Sequence, residues 1–120
     1  MKIEKPYKRT ERIEHQLLEI LGEIVTKHIN LSHLGFVTFT NAQISADLKH
    51  AKIFFSIIKA RLDRDDIIRG MNKLRGPFRK YLAPELHLKY VPELHFYLDE
   101  TFEYSENIER LMNSIKIDDN

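Results

Sequence analysis

The feature of this sequence that most constrains its fold is a hydrophobic pattern whose period changes three times along the chain. Over residues 10–28 the apolar side chains recur at spacings of three and four, which is one face of an amphipathic helix. They alternate over residues 36–57, return to helical spacing over 63–82, and alternate again over 86–98. The pattern therefore predicts an α+β fold, a three-stranded sheet with helices packed on one face.

Short polar residues mark where these elements begin and turn. Thr10 is placed to cap the first helix, and Asp63 is placed to cap the second, with two further aspartates in its first turn. Between the first two strands, Ser45-Ala46-Asp47 carries side chains that bond their own backbone in turns. An antiparallel hairpin is the simplest connection between these strands.

Two prolines interrupt otherwise regular segments. Gly76-Pro77 falls inside the second helical pattern, which predicts a helix, a kink and a further helix with Pro77 at its first position. Pro92 falls inside the last alternating segment, where it cannot donate a ladder hydrogen bond. We therefore expect a long third strand over residues 86–98, with Pro92 at a sheet edge or in a bulge.

Length and composition exclude several classes of protein. The chain has 120 residues and 42% hydrophobic content, which suits one domain with one core. Its lack of cysteine excludes disulfides, thiolate metal sites and cysteine nucleophiles, and fits a reducing compartment. Its apolar runs are far shorter than the roughly 18 residues of a membrane span. We expect a cytoplasmic protein with no membrane partner.

The net charge of +1 conceals a strong asymmetry along the chain. Residues 49–89 carry eleven basic against four acidic side chains, whereas residues 99–120 carry two against seven. A basic body predicts a polyanionic partner. We divide the chain into a flexible arm (1–9), an RNA-binding domain (10–99) and an acidic segment with a short helix (100–120).

The basic side chains concentrate around the predicted kink, which points to phosphate contact. A glycine at the turn would let the backbone approach a phosphate closely. A solvated helix face without any partner is the alternative interpretation. The candidate RNA-binding residues are Arg69, Lys73, Arg75, Gly76, Arg79 and Lys80, with Lys49 and Lys52 as extensions from the hairpin.

Patterns typical of catalysis are missing from the sequence. Nucleotide-binding loops and Gly-x-Ser-x-Gly motifs are absent, and helix capping explains the aspartates near residue 63 more simply than magnesium does. The six histidines include no His-x-x-x-His pair, so we expect no metal site, no cofactor and no enzyme activity. These histidines are His15, His28, His33, His50, His87 and His95.

Four fragments in order resemble the bacterial ribosome-binding factor A family over about residues 9–99. They are Arg12-Ile13-x-x-Gln16-Leu17, Leu34-Gly35, Ser45-x-Asp47-Leu48-x-x-Ala51-Lys52-Ile53-Phe54 and Val91-Pro92-Glu93-Leu94-x-Phe96. The resemblance implies a KH-like (type II) domain with a kinked helix in place of the Gly-x-x-Gly loop. The family has a small residue, any residue and then glycine at this kink; Gly76 fits and Leu74 departs from the pattern.

The resemblance also implies a function. It indicates a monomeric assembly factor that binds 16S rRNA on free or precursor small (30S) ribosomal subunits and assists late maturation, 16S rRNA processing and cold adaptation. A general KH-like RNA-binding module or RNA chaperone without a ribosomal address is the alternative. A small nuclease or hydrolase is a third and more distant interpretation.

Overall fold

The computed structural model describes residues 9–99. Apart from Arg9, the predicted arm lies outside this range, as does the acidic segment with its predicted helix. The described part is an α+β fold, as predicted. Its elements are α1 (Arg9–Lys27), β1 (Phe36–Ile44), β2 (His50–Ile58), α2 (Arg64–Lys73), α3 (Arg75–Leu82) and β3 (Glu93–Leu98).

Helix α1 buries the apolar stripe predicted from its spacing, and it packs mainly against β1. The prediction that Thr10 caps this helix is wrong, because the helix already includes Arg9. No helix within residues 9–99 combines the length and the apolar character needed to cross a bilayer. The buried side chains of α1 are Ile13, Leu17, Ile20, Leu21 and Ile24.

The sheet has the strand order β1-β2-β3. Strands β1 and β2 form the predicted antiparallel hairpin, with an irregularity in the register between Phe39 and Asn41. The hairpin turn is closed by its own polar side chains, since Ser45 Oγ lies 2.6 Å from Asp47 Oδ1 and the Lys49 amide donates to the same oxygen at 3.0 Å. Strand β3 lies parallel to β2 at the sheet edge, and α2 and α3 form the crossover that this requires.

The third strand is much shorter than the sequence predicts. It begins at Glu93, so Pro92 precedes the strand and does not interrupt it. Leu86 alternates in phase with the strand but follows a turn, because its amide donates to the Leu82 carbonyl at 3.1 Å. Leu86 is thus buried in the core from a turn, although the alternating pattern assigned it to a strand.

The break between α2 and α3 also differs from the prediction. Asp63 caps α2 as expected, with its side chain accepting from the Asp66 amide at 3.0 Å. The helical run stops at Leu74, so Pro77 is the third residue of α3 and not its first. A proline ring clashes with the carbonyl four residues earlier, here that of Lys73, so the disruption lies upstream of the proline.

One face of the sheet forms the core beneath the helices. Phe55 from β2, Phe96 from β3 and Phe78 from α3 are fully buried, and Phe78 and Phe96 have ring centroids 5.2 Å apart. Alternation places the intervening residues of β2 and β3 on the opposite face, which we call the outer face. Helices α2 and α3 pack against β3, which fixes the position of the α2–α3 junction relative to the sheet edge.

Candidate nucleic-acid interface

Six of the eight predicted RNA-binding residues lie at the α2–α3 junction. Leu74 separates the two helices with φ −93° and ψ 8°, which takes it out of the regular helical conformation. The five basic side chains and the glycine are all exposed. We call this set the junction surface: Arg69, Lys73, Arg75, Gly76, Arg79 and Lys80.

Two arginines of the junction surface are anchored to the backbone. Arg75 Nε donates to the Asn72 carbonyl at 3.1 Å, which satisfies an acceptor at the end of α2. Arg79 donates to the Val91 carbonyl at 3.1 Å, which ties α3 to the segment preceding β3. Each guanidinium has five N–H groups, so both side chains keep donors for a phosphate. The sequence predicted the charge of these residues but not their structural contacts.

The other three cations are Arg69, Lys73 and Lys80, none of which bonds to the backbone of another described residue in the way Arg75 and Arg79 do. Arg69 pairs with Asp66 one turn earlier on α2, and both side chains are largely exposed. Lys80 lies over the Tyr81 ring, with Nζ 5.8 Å from the ring centroid. Exposed pairs of this kind contribute little to stability. Arg69, Lys73 and Lys80 are therefore the side chains most available to a polyanion.

Gly76 does not have an unusual backbone conformation. It lies within α3, and among residues 9–99 the glycine with positive φ is Gly35. Beyond its chain neighbours, an added Cβ at residue 76 would meet no atom within 4 Å. The break between α2 and α3 therefore does not use a positive φ at residue 76. The small size of glycine still suits a residue that is helical and precedes proline, since a side chain there clashes with the proline ring.

The remaining two candidates, Lys49 and Lys52, lie at the start of the second strand and not on the two helices. Lys52 is on the outer face of β2, with Nζ 6.0 Å from the ring centroid of Tyr97 on β3. The Tyr97 ring in turn stacks on Phe54, with centroids 5.6 Å apart and planes 29° apart. We call Lys52, Phe54 and Tyr97 the outer-face cluster; Lys49 precedes β2, at the hairpin turn.

Sequence reasoning found part of the outer-face cluster. From the alternation along β2 it places Phe54 on the face opposite Phe55, and in the structure Phe55 is buried whereas Phe54 is only half-buried. It missed Tyr97, which is 44% exposed. The signal was present, because Tyr97 is out of phase with Phe96 and Leu98 in the alternating segment.

A groove of about 460 Å³ lies between α2 and the free edge of β3. One wall includes Asn72, whose amide donates to the Phe96 carbonyl at 3.2 Å and accepts from the Phe96 amide at 3.0 Å. Asn72 thereby satisfies two backbone groups on the free edge of β3, which blocks pairing with another strand. The groove is lined by Phe54, Arg64, Ile68, Asn72, His95, Phe96, Tyr97 and Leu98.

Acidic side chains near these surfaces have structural roles. The Asp47 pKa is lowered first by the hydrogen bond with the Ser45 hydroxyl and next by the Lys49 amide. Asp63 caps α2 and Asp66 pairs with Arg69. Within residues 9–99, Asp63, Asp65 and Asp66 do not converge with a further ligand into a metal-binding group.

Comparison with known proteins identifies the family. The family model described as ribosome-binding factor A matches residues 9–112. Ribosome-binding factor A of Natranaerobius thermophilus is 33% identical over 109 residues, which are 91% of this chain and 83% of the relative. The chain belongs to the ribosome-binding factor A family. The resemblance found in the sequence is thus confirmed.

Solved structures of the family share the fold. The crystal structure of ribosome-binding factor A from Thermus thermophilus matches with a TM-score of 0.65 and 18% identity, covering 77% of this chain and 97% of that chain. A homology model of the Thermus thermophilus factor, fitted into a cryo-EM map of a 30S complex, matches with a TM-score of 0.56 and 18% identity. It covers 70% of this chain and 88% of that chain. The helix and strand order is consistent with the KH-like arrangement that the family resemblance implies.

Proposed function

We propose that this chain is a non-catalytic assembly factor that binds 16S rRNA on free or precursor small (30S) ribosomal subunits. It assists late subunit maturation and 16S rRNA processing, and it contributes to cold adaptation. The observation that carries the proposal is the exposed junction surface in a chain of this family. The Thermus thermophilus family member fitted into a map of a 30S complex supports the same partner.

The junction surface supplies phosphate contacts in this proposal. Lys73 is the last residue of α2 and Lys80 lies in the last turn of α3, so their charges lie on either side of the break at Leu74. Arginine and lysine side chains that neutralise phosphates release bound counterions, which makes affinity strongly dependent on salt. The junction surface binds RNA backbone and positions the protein without reading sequence.

The outer-face cluster supplies a second kind of contact. Tyr97 presents an exposed ring that is stacked from one side by Phe54, so a nucleobase can stack on the accessible part of the aromatic pair. Lys52 lies beside that ring and can neutralise an adjoining phosphate. Single-stranded RNA is recognised by this combination of aromatic stacking and positive charge.

The second candidate function is a general RNA chaperone without a ribosomal address. The outer-face cluster favours this function, because aromatic side chains stack on any base and so do not require a particular RNA sequence. Family membership favours the ribosomal function. We place the protein in the cytoplasm, where it acts as a monomer.

Sedimentation separates these two functions. Untagged protein is added to a lysate from cold-grown cells, and its distribution is followed across a sucrose gradient in low and moderate salt. A ribosome assembly factor sediments with free small subunits and is depleted from translating ribosomes. A distribution that follows total RNA through the gradient would support the chaperone instead.

A further inference from the structure

The sheet brings together three metal-ligating side chains that are far apart in the sequence. His50 is the first residue of β2, and Glu93 and His95 lie on β3. The parallel register places Glu93 opposite His50, with His95 two pairs further along, opposite Lys52. One ligand atom from each residue lies within 4.8 Å of the other two.

The separation of the two imidazoles fits a shared metal ion. His50 Nδ1 and His95 Nε2 are 3.3 Å apart. Two nitrogens that are each about 2.0–2.1 Å from a tetrahedral zinc ion are about 3.3–3.4 Å from one another. Glu93 Oε2 is 4.0 Å from His50 Nδ1. The Glu93 side chain is exposed, so it can rotate to bring this oxygen within reach of a shared metal ion.

The backbone beneath these side chains is fixed by hydrogen bonds. The Glu93 amide donates to the Lys49 carbonyl at 2.8 Å, which locks β3 to the start of β2. The His50 amide donates to Ser45 Oγ at 3.0 Å, and the His50 carbonyl accepts from the Ser45 amide at 2.8 Å. Ligands on paired strands are held more precisely than ligands on loops, which favours metal binding over a chance approach.

We propose that His50, Glu93 and His95 form a binding site for a divalent transition metal ion, with Zn²⁺ as the fitting ion. Two imidazoles and one carboxylate are ligands that Zn²⁺ takes in sites with one open coordination position, and imidazole does not select Mg²⁺ or Ca²⁺. Both His50 and Glu93 are exposed, so the open position faces solvent. The site does not depend on the proposed RNA contacts.

The sequence prediction of no metal site rested on the lack of a histidine pair at helical spacing. His50 and His95 are 45 residues apart, so only the pairing of β2 with β3 brings them together. A search for local motifs cannot detect such a pair.

Calorimetry and NMR on the untagged full chain test the site with ZnCl₂ as the probe. We expect one saturable Zn²⁺ site per chain, with the largest amide and imidazole shifts at His50, His95 and their strand neighbours. MgCl₂ at the same concentration should leave these signals in place. The variants His50→Gln, Glu93→Gln and His95→Gln should each weaken Zn²⁺ binding by at least about tenfold, because each removes one of three ligands.

His33→Gln and His87→Gln are matched controls, since both residues are exposed and lie outside the cluster. They should retain the wild-type dissociation constant. Melting temperatures without metal establish that all variants fold, and Zn²⁺ should raise the melting temperature of wild type but not of His95→Gln. A dissociation constant for His95→Gln within twofold of wild type, or shifts that map to other residues, would overturn the proposal.

Discussion

The junction surface and the outer-face cluster are both basic, but their charges are held in different ways. At the junction, Lys73 and Lys80 are exposed near the ends of their helices, and Lys80 lies over the Tyr81 ring. On the outer face, Lys52 lies beside the stacked pair formed by Phe54 and Tyr97, on the rigid β2–β3 ladder. The junction surface therefore presents several charges without an aromatic surface for stacking. The outer-face cluster presents an aromatic surface with less charge.

This difference predicts two separable contributions to RNA binding. Phosphate contacts are screened by salt, whereas base stacking on an aromatic ring depends much less on ionic strength. The junction surface should therefore determine how steeply affinity falls with salt. The outer-face cluster should determine the affinity that remains at high salt.

The largest expected effect comes from removing the most available cations of the junction. The triple variant Arg69→Ala/Lys73→Ala/Lys80→Ala should weaken binding to small subunits about a hundredfold at roughly 0.15 M salt, and reduce the slope of log K against log salt by about 2. Arg75 and Arg79 stay in place because they anchor the backbone. Filter binding across a salt series measures both quantities.

A triple variant on α1, Arg9→Ala/Arg12→Ala/Lys27→Ala, is the control for loss of charge. It removes three exposed cations from a helix that packs against β1 and α3 and makes no contact with α2. We expect a much smaller change in affinity and slope. Equal losses in the two triple variants would show that only net charge matters. Circular dichroism should show an unchanged fold in both, since exposed charges contribute little to stability.

The second prediction concerns Tyr97 on the outer face. Tyr97→Ala should weaken RNA binding by about 1–3 kcal/mol, the usual contribution of one stacked base, without altering the salt slope. Phe36→Ala is the control, because Phe36 is 70% exposed at the start of β1. If both variants bind as wild type does, the outer face is not part of the interface.

The sequence predicted the parts of these two surfaces that depend on residues close together in the chain. It did not predict the parts that depend on contacts between distant residues. Periodicity and capping are local, so they predicted α1, the hairpin and the Asp63 cap. Between α3 and β3 the chain makes a turn that buries Leu86. Because Leu86 is in phase with the alternating residues of β3, the pattern wrongly placed it in the strand. The anchoring of Arg79 on Val91 and the pairing of β2 with β3 join distant parts of the chain, so no local pattern encodes them.

The third prediction concerns Asn72, which connects the two surfaces. Its side chain makes both hydrogen bonds to Phe96 across the groove. Asn72→Ala leaves a half-buried backbone donor and acceptor without partners, so it should lower the free energy of unfolding by about 1–3 kcal/mol. Urea denaturation measures this loss. Asn41→Ala is the comparison, since its side chain accepts from the neighbouring Ala42 amide at 2.9 Å, and it should cost less.

The smallest expected effect concerns the shape of the junction itself. Gly76 is helical and precedes Pro77, a combination that a side chain at residue 76 disfavours. Gly76→Ala should therefore destabilise the protein while Pro77 is present. In a Pro77→Ala background the same change should instead stabilise it, by up to about 1 kcal/mol, because alanine is the better helix former. Urea denaturation of the four proteins in this double-mutant cycle gives the coupling between the two positions. Additive effects would show that Gly76 is not required by the proline, and would leave close approach of RNA as the reason for a glycine at the junction surface.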